Sequence, residues 1–363
     1  MWIKIKKQNL ISGIQKIQGV ITTKSTLPIL SYILLQTQQE SIILSATDLD
    51  IGIIVNLTTE VTESGGISVP AKRFSDIIRE LPIEDVEITT KKNNTLIIKT
   101  DFCEFKITGL PKEEFPKLPE FKNKEVIILE QGILKEMLEL TSFAVSTEET
   151  RYILNGILFE IKNNSLNVVA TDGRRLAIAK RKLTNPINKE IKIIIPIKAI
   201  HELNRNLEEG KQLKLILDKN QVMFELDGLT IISRLIEGEF PDYQQVIPAV
   251  SNCKMLISRE AFLGGIRRAN LLATPDYQAV KLELTKNKLV ISKFTPDIGE
   301  LREEVGIDYT GKDLVIGFNP DFLIDVLKVL KDEKVEIEFT ESEKPAVIRK
   351  PDYLYIVLPM RLS

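Results

Sequence analysis

Apolar residues recur at intervals of three and four positions in six separate stretches of the chain. That spacing is typical of a helix that buries one face against a core. Three of the stretches follow a short run that ends in proline or Asn-Pro, and their apolar positions are Phe74, Ile77, Ile78 and Leu81; Ile200, Leu203 and Leu207; and Leu323, Val326, Leu327 and Leu330. The other three carry Leu10, Ile14 and Ile17; Leu134, Met137 and Leu138; and Phe262, Ile266 and Ala269.

Short runs rich in isoleucine and valine lie between these helices and are separated by turns that contain Asn or Gly. Ser41–Ala46, Ser165–Ala170 and Lys288–Ser292 are examples. β-Branched residues between turn residues are typical of short strands that pair through tight turns. The pattern of helices and strands therefore predicts an α+β protein.

The same landmarks return after about 125 residues, which is the sign of internal repetition. Ala46-Thr47-Asp48 recurs as Ala170-Thr171-Asp172, and Glu114-Phe115-Pro116 recurs as Glu239-Phe240-Pro241. Each repeat reads helix, strands, helix, strands, and its length of about 120 residues is ordinary for a domain. Proline-containing stretches at 116–124 and 241–252 suit linkers. We therefore predict three similar α+β domains at 1–124, 125–250 and 251–363.

Repeated domains that contact each other head to tail either close into a ring or continue as a filament. Three domains in one chain close as a dimer with six domains or as a trimer with nine, and the repeat alone leaves both open. Basic residues on the helices usually solvate an outer face, but the repeat favours equivalent basic faces on one side. Such a lining contacts phosphates without reading bases. The candidate DNA-facing residues are Lys24, Lys72, Arg73, Arg79, Lys198, Arg205, Arg267 and Arg268.

The amino-acid composition limits the possible catalytic and metal sites more than it limits the possible binding partners. The net charge of the 363-residue chain is −2, which does not exclude DNA because binding depends on where the charge lies. Two cysteines and one histidine, His201, are too few for a disulfide scaffold and leave little for metal sites or histidine catalysis. We expect no cofactor. The absence of a long apolar run or signal peptide predicts a cytoplasmic protein with no membrane partner.

Two motifs are similar to those of enzymes, but the residues around them do not support an enzymatic function. Gly306–Lys312 has the glycine and lysine spacing of a phosphate-binding loop, but Asp313 replaces the magnesium-binding hydroxyl and a strand follows. Asp172 could serve an enzyme that acts on nucleic acid or phosphates, yet a single aspartate is a poor catalytic group. Its counterpart Asp48 indicates a structural turn of the repeat. A repeat scaffold that binds only proteins is the other alternative.

Five motifs in order resemble the beta-subunit family of bacterial DNA polymerase III, the sliding clamps. Arg151–Glu160 (RYILNGILFE) and Val169–Ala177 (VATDGRRLA) resemble the family's middle domain. Thr26–Leu30 with Thr47-Asp48-Leu49 resembles its first domain, Phe240–Tyr243 resembles the close of its second, and Leu358–Leu362 resembles its carboxyl end. The resemblance runs through the whole chain without large insertions.

The resemblance implies a DNA-clamp fold in which two helices of each domain pack on antiparallel sheets. It also implies a head-to-tail homodimer that forms a ring around duplex DNA, without catalytic activity. The replicative polymerase, the clamp loader and repair proteins would bind through short linear peptides in a cleft between the second and third domains.

The resemblance also transfers site residues one by one. The cleft positions that match are Leu154, Thr171, Gly173, Arg175, Leu176, Pro241, Val246, Asn319, Phe322, Val357, Leu358, Pro359, Met360 and Arg361. Arg174 and Gln245 depart from the histidine and arginine that are common in the family, which alters the rim of the cleft. Phe105, Ile107, Leu271 and Leu272 fall where the family has its apolar dimer interface, although a core role is the alternative for these four.

Overall fold

The computed structural model describes residues 1–22, 26–121, 124–183 and 189–362. Its six α-helices lie where the apolar periodicity predicts them. They are α1 (Lys7–Ile17), α2 (Ala71–Glu80), α3 (Gln131–Thr141), α4 (Ile197–Asn206), α5 (Arg259–Asn270) and α6 (Pro320–Val329). Lys24 lies outside the described residues.

Local sequence explains where several helices begin. Pro320 occupies the first turn of α6, where its missing N–H costs nothing, and the Asn319 side chain accepts a hydrogen bond from the backbone N–H of Asp321. The Ser258 hydroxyl caps α5 in the same way by accepting from the N–H of Ala261. The prolines and small polar residues that precede the periodic stretches therefore act as start signals.

The strands follow the same order in each repeat. The first repeat contains β1 (Trp2–Lys6), β2 (Tyr32–Gln38), β3 (Ser41–Thr47), β4 (Ile51–Thr58), β5 (Glu60–Glu63), β6 (Gly66–Pro70), β7 (Asp85–Lys91), β8 (Thr95–Lys99) and β9 (Glu104–Thr108). The second contains β10 (Val126–Glu130), β11 (Gly156–Lys162), β12 (Ser165–Thr171), β13 (Arg175–Lys182), β14 (Ile191–Pro196), β15 (Gln212–Asp218), β16 (Gln221–Leu226) and β17 (Leu229–Arg234). The third contains β18 (Cys253–Ser258), β19 (Val280–Thr285), β20 (Lys288–Thr295), β21 (Gly299–Gly306), β22 (Asp308–Tyr309), β23 (Leu314–Phe318), β24 (Lys334–Phe339), β25 (Ala346–Lys350) and β26 (Tyr353–Val357).

The described chain forms two compact units that divide the second repeat between them. One unit comprises Met1–Gly132 and Lys198–Leu235, and the other comprises Ile133–Ile197 and Ile236–Ser363. Each unit contains two antiparallel sheets. The sheets of the first unit have the strand orders β5-β1-β7-β8-β9 and β10-β15-β16-β17-β4-β3-β2-β6, and those of the second have β14-β11-β12-β13-β26-β25-β24-β18-β22 and β21-β20-β19-β23.

The larger sheet of each unit continues from one repeat into the next. In the first unit β17 of the second repeat pairs with β4 of the first, and in the second unit β13 pairs with β26 of the third repeat. Apolar residues cover these junctions. Ile53 and Ile231 are opposite each other and fully buried at the first, and Tyr355 is fully buried opposite Ala177 at the second. The hydrophobic core therefore runs on from one repeat to the next.

The two segments predicted as linkers pack against these sheets. A Cβ added to Gly52 on β4 would lie 2.6 Å from Leu118 Cδ2, so the segment after Pro116 covers that strand closely. In the second segment, Tyr243 begins a short 3-10 helix (Tyr243–Val246) and is 8% exposed. The Gly306–Lys312 stretch leads into strand β23 rather than a helix, as the sequence indicates.

Candidate functional site

The guanidinium of Arg175, at the start of β13, is the most heavily engaged group among the cleft residues. Its Nε donates to Asp172 Oδ2 at 3.0 Å, and the nitrogens at its tip donate to Asp325 Oδ2 at 2.8 Å and to the Phe143 carbonyl at 2.5 Å. Burial alone would lower the pKa of Arg175, but the hydrogen bond that Arg175 donates to Asp325 and the nearby carboxylates outweigh burial and raise the pKa. The residue is a fixed cation that ties three segments together.

Aromatic rings enclose the same guanidinium. Arg175 Cζ lies 4.4 Å from the centroid of the Phe322 ring and 5.5 Å from that of Phe143. Arginine over an aromatic face is attracted by the ring quadrupole, and this attraction increases when water is excluded. The Tyr355 hydroxyl donates to the Phe322 carbonyl at 2.8 Å and so holds the first turn of α6 near β26. The structure thus brings Arg175 and Phe322 together, as the resemblance implies.

Asp172 organises the turn that precedes Arg175. Its Oδ1 accepts hydrogen bonds from the backbone N–H of Arg174 at 2.8 Å and of Arg175 at 2.9 Å. The backbone N–H of Gly173 donates to Thr171 Oγ1, and Gly173 has a φ of +85°, which glycine adopts without strain. In the first repeat the Asp48 carboxylate accepts from the N–H of Asp50 and Ile51. The Thr-Asp motif is therefore a structural turn of the repeat.

Strand pairing brings the carboxyl-terminal residues of the cleft set to this turn. Val357 lies directly opposite Arg175, and the N–H of Leu358 donates to the Arg174 carbonyl at 2.9 Å. Two residues later, the N–H of Met360 donates to the Gly317 carbonyl at 2.8 Å, beside the Asn319 cap of α6. Pro359 and Met360 are half-buried, whereas Leu358 is 42% exposed and Arg361 is exposed.

A buried apolar cluster joins Leu176 to the segment that carries Pro241, Gln245 and Val246. Leu176 packs in this cluster with Tyr243 and with residues of six strands: Leu158, Val169, Ile178, Ile194, Val347 and Ile356. Val246 remains 58% exposed beside it, and Leu154 is half-buried in the 3-10 segment Glu149–Asn155. The surface therefore offers half-exposed aliphatic groups over a rigid base.

The two positions that depart from the family lie on the exposed rim. Arg174 is exposed, and its nearest carboxylate is Glu148, at 3.9 Å. The Gln245 side-chain amide donates to Asp242 Oδ2 at 2.9 Å, within the same turn. Both side chains are accessible and neither is part of the core.

Sequence reasoning missed a buried polar network that anchors the Tyr243 segment. The Glu160 carboxylate on β11 is 3% exposed and accepts from the Tyr243 hydroxyl at 2.5 Å, from Asn167 at 3.0 Å and from Lys192 at 3.0 Å. Burial would raise the pKa of Glu160, but these hydrogen bonds outweigh it and hold the pKa below its ordinary value. Burial and the bond to Glu160 raise the pKa of Tyr243 to about 12.

The basic residues predicted to face DNA differ in whether they form ion pairs or hydrogen bonds with other side chains of the chain. Lys198 forms an ion pair with Asp48, Arg205 with Glu202, and Arg268 Nε donates to Glu303 at 2.8 Å. Arg79 donates to Gln18 at 3.3 Å. Within the described ranges no ion pair to Lys72, Arg73 or Arg267 is found, and all three are exposed.

The four residues assigned to a dimer interface differ in their exposure and in their contacts. Ile107 on β9 is buried at 3% exposure, which fits the alternative core role, whereas Phe105 on the same face is 38% exposed. Leu271 follows α5 and is 81% exposed, and the Leu272 carbonyl accepts from Thr295 Oγ1 at 2.5 Å. Both β9 and β21 are edge strands of their sheets in the described part of the chain.

No group of three or more histidine, cysteine, aspartate or glutamate side chains within the described ranges could hold a metal ion. No helix in those same ranges is both long and apolar enough to cross a membrane.

Comparison with known proteins gives one consistent result. Models of the N-terminal, central and C-terminal domains of the DNA polymerase III beta subunit match residues 1–119, 128–242 and 244–361. The beta sliding clamp of Pseudomonas putida is 33% identical over 372 residues, with 100% of both chains covered. That of Chlamydia pneumoniae is 33% identical over 359 residues, covering 99% of this chain and 98% of the relative.

Solved structures agree over the full length. The DNA polymerase sliding clamp from Bacillus subtilis has a TM-score of 0.96 at 31% identity, with 100% of both chains covered. The sliding clamp from Pseudomonas aeruginosa bound to griselimycin has a TM-score of 0.95 at 32% identity, again with 100% of both chains covered. The fold is the three-domain α+β clamp fold, and the chain belongs to the DNA polymerase III beta-subunit family, the bacterial sliding clamps.

Proposed function

We propose that this chain is a DNA sliding clamp that closes around duplex DNA as a head-to-tail homodimer and tethers the replicative polymerase to it. The observation that carries the proposal is the ordered match of all three family domains over the whole length. The proposed domain boundaries are 1–124, 125–250 and 251–363. Six domains then surround the DNA.

The edge strands support a dimer rather than a closed single chain. Each internal junction between repeats continues a sheet by pairing two strands, while β9 and β21 remain at sheet edges in the described residues. An unpaired strand edge offers backbone N–H and C=O groups to a second chain. Pairing β21 of one subunit with β9 of another covers Phe105 with apolar groups and closes a ring with two such contacts.

A closed ring holds DNA by topology, so its direct contacts can remain weak. Lys72, Arg73 and Arg267 are the exposed cations best suited to phosphates, because carboxylates already neutralise Lys198, Arg205 and Arg268. Contacts to phosphates carry no sequence information. A polymerase bound to such a ring stays at high effective concentration near its primer.

The cleft around Arg175, Leu176, Val246 and Met360 is the proposed site for short peptides of the polymerase, the clamp loader and repair proteins. Half-exposed aliphatic and methionine groups form an adaptable apolar surface beside fixed arginines. Two related clamps, from Pseudomonas aeruginosa and Bartonella birtlesii, are described as bound to griselimycin, so these relatives take a ligand. Arg174 and Gln245 are proposed to tune peptide choice from the rim.

We assign no catalytic role to the chain. The Asp172 carboxylate, the best candidate for an enzyme, is occupied by two backbone N–H groups and by Arg175. Opening the ring therefore requires a separate ATP-using loader. Because its partners are replication proteins on chromosomal DNA, the proposed location is the cytoplasm.

Retention on DNA of different topology tests the ring. The protein is loaded onto nicked circular plasmid with a bacterial clamp loader and passed over a sizing column, and the run is repeated after the plasmid is linearised. We expect co-elution with circles and loss from linear DNA, because a ring slides off an open end.

Equal retention on both DNA forms would show ordinary contact binding and would overturn the ring. The mass of the protein in solution, measured by light scattering, checks the dimer independently of the loader. A monomer throughout the micromolar range would contradict the homodimer.

The double substitution Met360→Ala/Arg361→Ala is expected to weaken peptide binding at least about tenfold while leaving the dimer intact. It removes a half-buried apolar group and an exposed cation from the cleft, and neither residue lies on β9 or β21. Fluorescence anisotropy with a labelled peptide from a bacterial replicative polymerase, and competition by griselimycin, measure the effect.

Met223→Ala/Arg234→Ala is the matched control, because it removes the same two residue types from β16 and β17 in the other unit. Wild-type peptide affinity in the Met360/Arg361 variant, or equal losses in both variants, would argue against this cleft.

A further inference from the structure

A cavity of about 440 Å³ lies in the second unit, at the end of the β13–β26 strand pair that is remote from the cleft. Arg175 faces Val357 at the cleft end, whereas the Arg181 guanidinium donates to the Asp352 carbonyl at 3.1 Å near the other end. Six residues of a strand span about 20 Å. The cavity is therefore separate from the cleft, and its volume is within the range of sites that bind small molecules or single side chains.

Two helices end at this cavity. The end of α6 brings Val329 and Leu330 to the wall, and the last turn of α3 brings Glu139 and Leu140. The carboxyl end of a helix carries a partial negative charge, because its last carbonyl groups have no partner within the helix. Both helix ends therefore favour a positively charged group in the cavity.

Carboxylates already neutralise two of the cations around the cavity. Arg181 forms ion pairs with Glu136 and Asp352, each at 2.9 Å, and Lys350 forms an ion pair with Asp332. Arg181 thus has two carboxylate partners of its own. Neither cation is available to a negatively charged ligand without the loss of an existing ion pair, so the lining does not favour an anion.

Two polar groups of the lining have no partner among the described residues. Glu139 is half-buried, and within the described ranges no ion pair to its carboxylate is found. The hydroxyl of Tyr353 is buried and has no hydrogen bond in the same ranges, in a residue that is 3% exposed. A buried hydroxyl without a hydrogen bond destabilises a fold, and a ligand that bonds to it removes that cost. The third cation of the lining, Lys331, is exposed.

The Tyr353 hydroxyl is suited to accept a hydrogen bond from a cation. Burial raises the pKa of Tyr353 well above its ordinary value of 10.0, so the group stays protonated and neutral through the physiological range. Its oxygen accepts one hydrogen bond while its proton is donated to another group. Leu140, Val329 and Leu330 line the same cavity and supply an apolar wall along which an aliphatic stem can pack.

From this arrangement we propose that the cavity binds a primary ammonium group on an aliphatic stem, as in a lysine side chain of a partner protein or a free polyamine. The ammonium donates to the Glu139 carboxylate and to the Tyr353 hydroxyl oxygen, and its charge faces the carboxyl ends of α3 and α6. The stem packs on Leu140 and Leu330. The proposal does not depend on the clamp function, because every group that it uses lies within one unit.

Methyl NMR of the full-length protein tests the proposal, because the methyl groups of Leu140 and Leu330 lie in the cavity wall. The labelled protein is titrated with Nα-acetyl-lysine amide at constant ionic strength. We expect saturable shifts of both residues. Nα-acetyl-norleucine amide has the same stem without the ammonium, so it should bind at least about fivefold more weakly, since hydrogen bonds to a charged group are lost.

Two single substitutions test the named groups. Glu139→Gln and Tyr353→Phe should each weaken binding of the lysine derivative at least about fivefold. Tyr353→Phe removes a hydroxyl that forms no hydrogen bond in the described structure, so its melting temperature should not fall, and weaker binding cannot then be attributed to unfolding. Glu283→Gln is the matched control, because it makes the same change at a half-buried carboxylate of β19, outside this cavity. It should bind the lysine derivative as the wild type does.

Spermidine in place of the lysine derivative distinguishes the two sources of the ammonium group. Tighter binding of spermidine supports a free polyamine, and tighter binding of the lysine derivative supports a side chain of a partner protein. The absence of shifts at Leu140 and Leu330, equal binding of the norleucine derivative, or wild-type binding in both Glu139→Gln and Tyr353→Phe would overturn the site. A polymerase peptide should bind Glu139→Gln with wild-type affinity, so failure of this proposal leaves the cleft and the clamp function intact.

Discussion

Arg175→Met is expected to lower the free energy of unfolding by about 3 kcal/mol and to weaken peptide binding at least about tenfold. The methionine retains much of the apolar stem but leaves Asp172 and Asp325 without their cation. Those carboxylates are only 16% and 32% exposed, so water compensates in part. The Phe143 carbonyl also loses its donor, and Phe322 loses the group that fixes its ring. Urea denaturation and peptide anisotropy measure the two effects.

Arg181→Met separates the contribution to stability from the contribution to binding. Arg181 lies on the same strand and forms ion pairs with Glu136 and Asp352, each at 2.9 Å, but it is not a cleft residue. The Arg181→Met variant should be less stable than the wild-type protein, while its peptide affinity stays close to the wild-type value. Wild-type affinity in Arg175→Met, or equal losses of affinity in both variants, would mean that Arg175 stabilises the fold without shaping the cleft.

The sequence predicted the helices and the repeat because both are local or periodic signals. All six helices are confirmed, and the strands at Ser41, Ser165 and Lys288 begin where their turns indicate. Three similar α+β domains are confirmed by the family matches. Apolar periodicity identifies a buried face without regard to what covers it, which is why these elements could be predicted one at a time.

The contacts that make the cleft rigid could not be predicted in this way. The partner of Arg175 in α6, Asp325, lies 150 positions further along the chain, and Glu160 meets Tyr243 across 83 positions. Nothing in the spacing of these residues marks them as neighbours. The sheets that continue between repeats were missed for the same reason, since strand partners are chosen by the three-dimensional arrangement. Segments predicted as linkers proved to be covers for those sheets.

The distribution of charge also explains how a protein of net charge −2 can hold DNA. Several helical cations are already paired with carboxylates, which leaves a small number of exposed lysines and arginines for phosphates. Each phosphate contact adds to the salt dependence of binding, so few contacts mean weak and mobile association. Weak direct contact suits the proposed sliding ring, because a closed topology supplies the persistence on DNA.

Glu160→Gln is expected to remove a pH-dependent part of the stability of the second unit. Because hydrogen bonds hold the pKa of Glu160 below its ordinary value of 4.5 in the folded protein, its ionised form stabilises the fold. That contribution is present above pH 4.5 and is lost as the pH falls through the lower folded-state pKa. The variant should therefore lose about 1.5–3 kcal/mol at neutral pH, with the difference from wild type shrinking in acid. Urea denaturation at a series of pH values measures it.

The same variant should weaken peptide binding severalfold, since the Tyr243 hydroxyl anchors the segment that carries Pro241 and Val246 through Glu160. Tyr243→Phe removes the shortest bond of the network and keeps the ring in the apolar cluster, so it should reproduce part of both losses. The pKa of Tyr243, about 12, keeps its hydroxyl a donor throughout the neutral range. If the stability difference between Glu160→Gln and wild type did not change with pH, the carboxylate would not be the charged centre of this anchor. Unchanged peptide affinity in both variants would separate the network from the cleft.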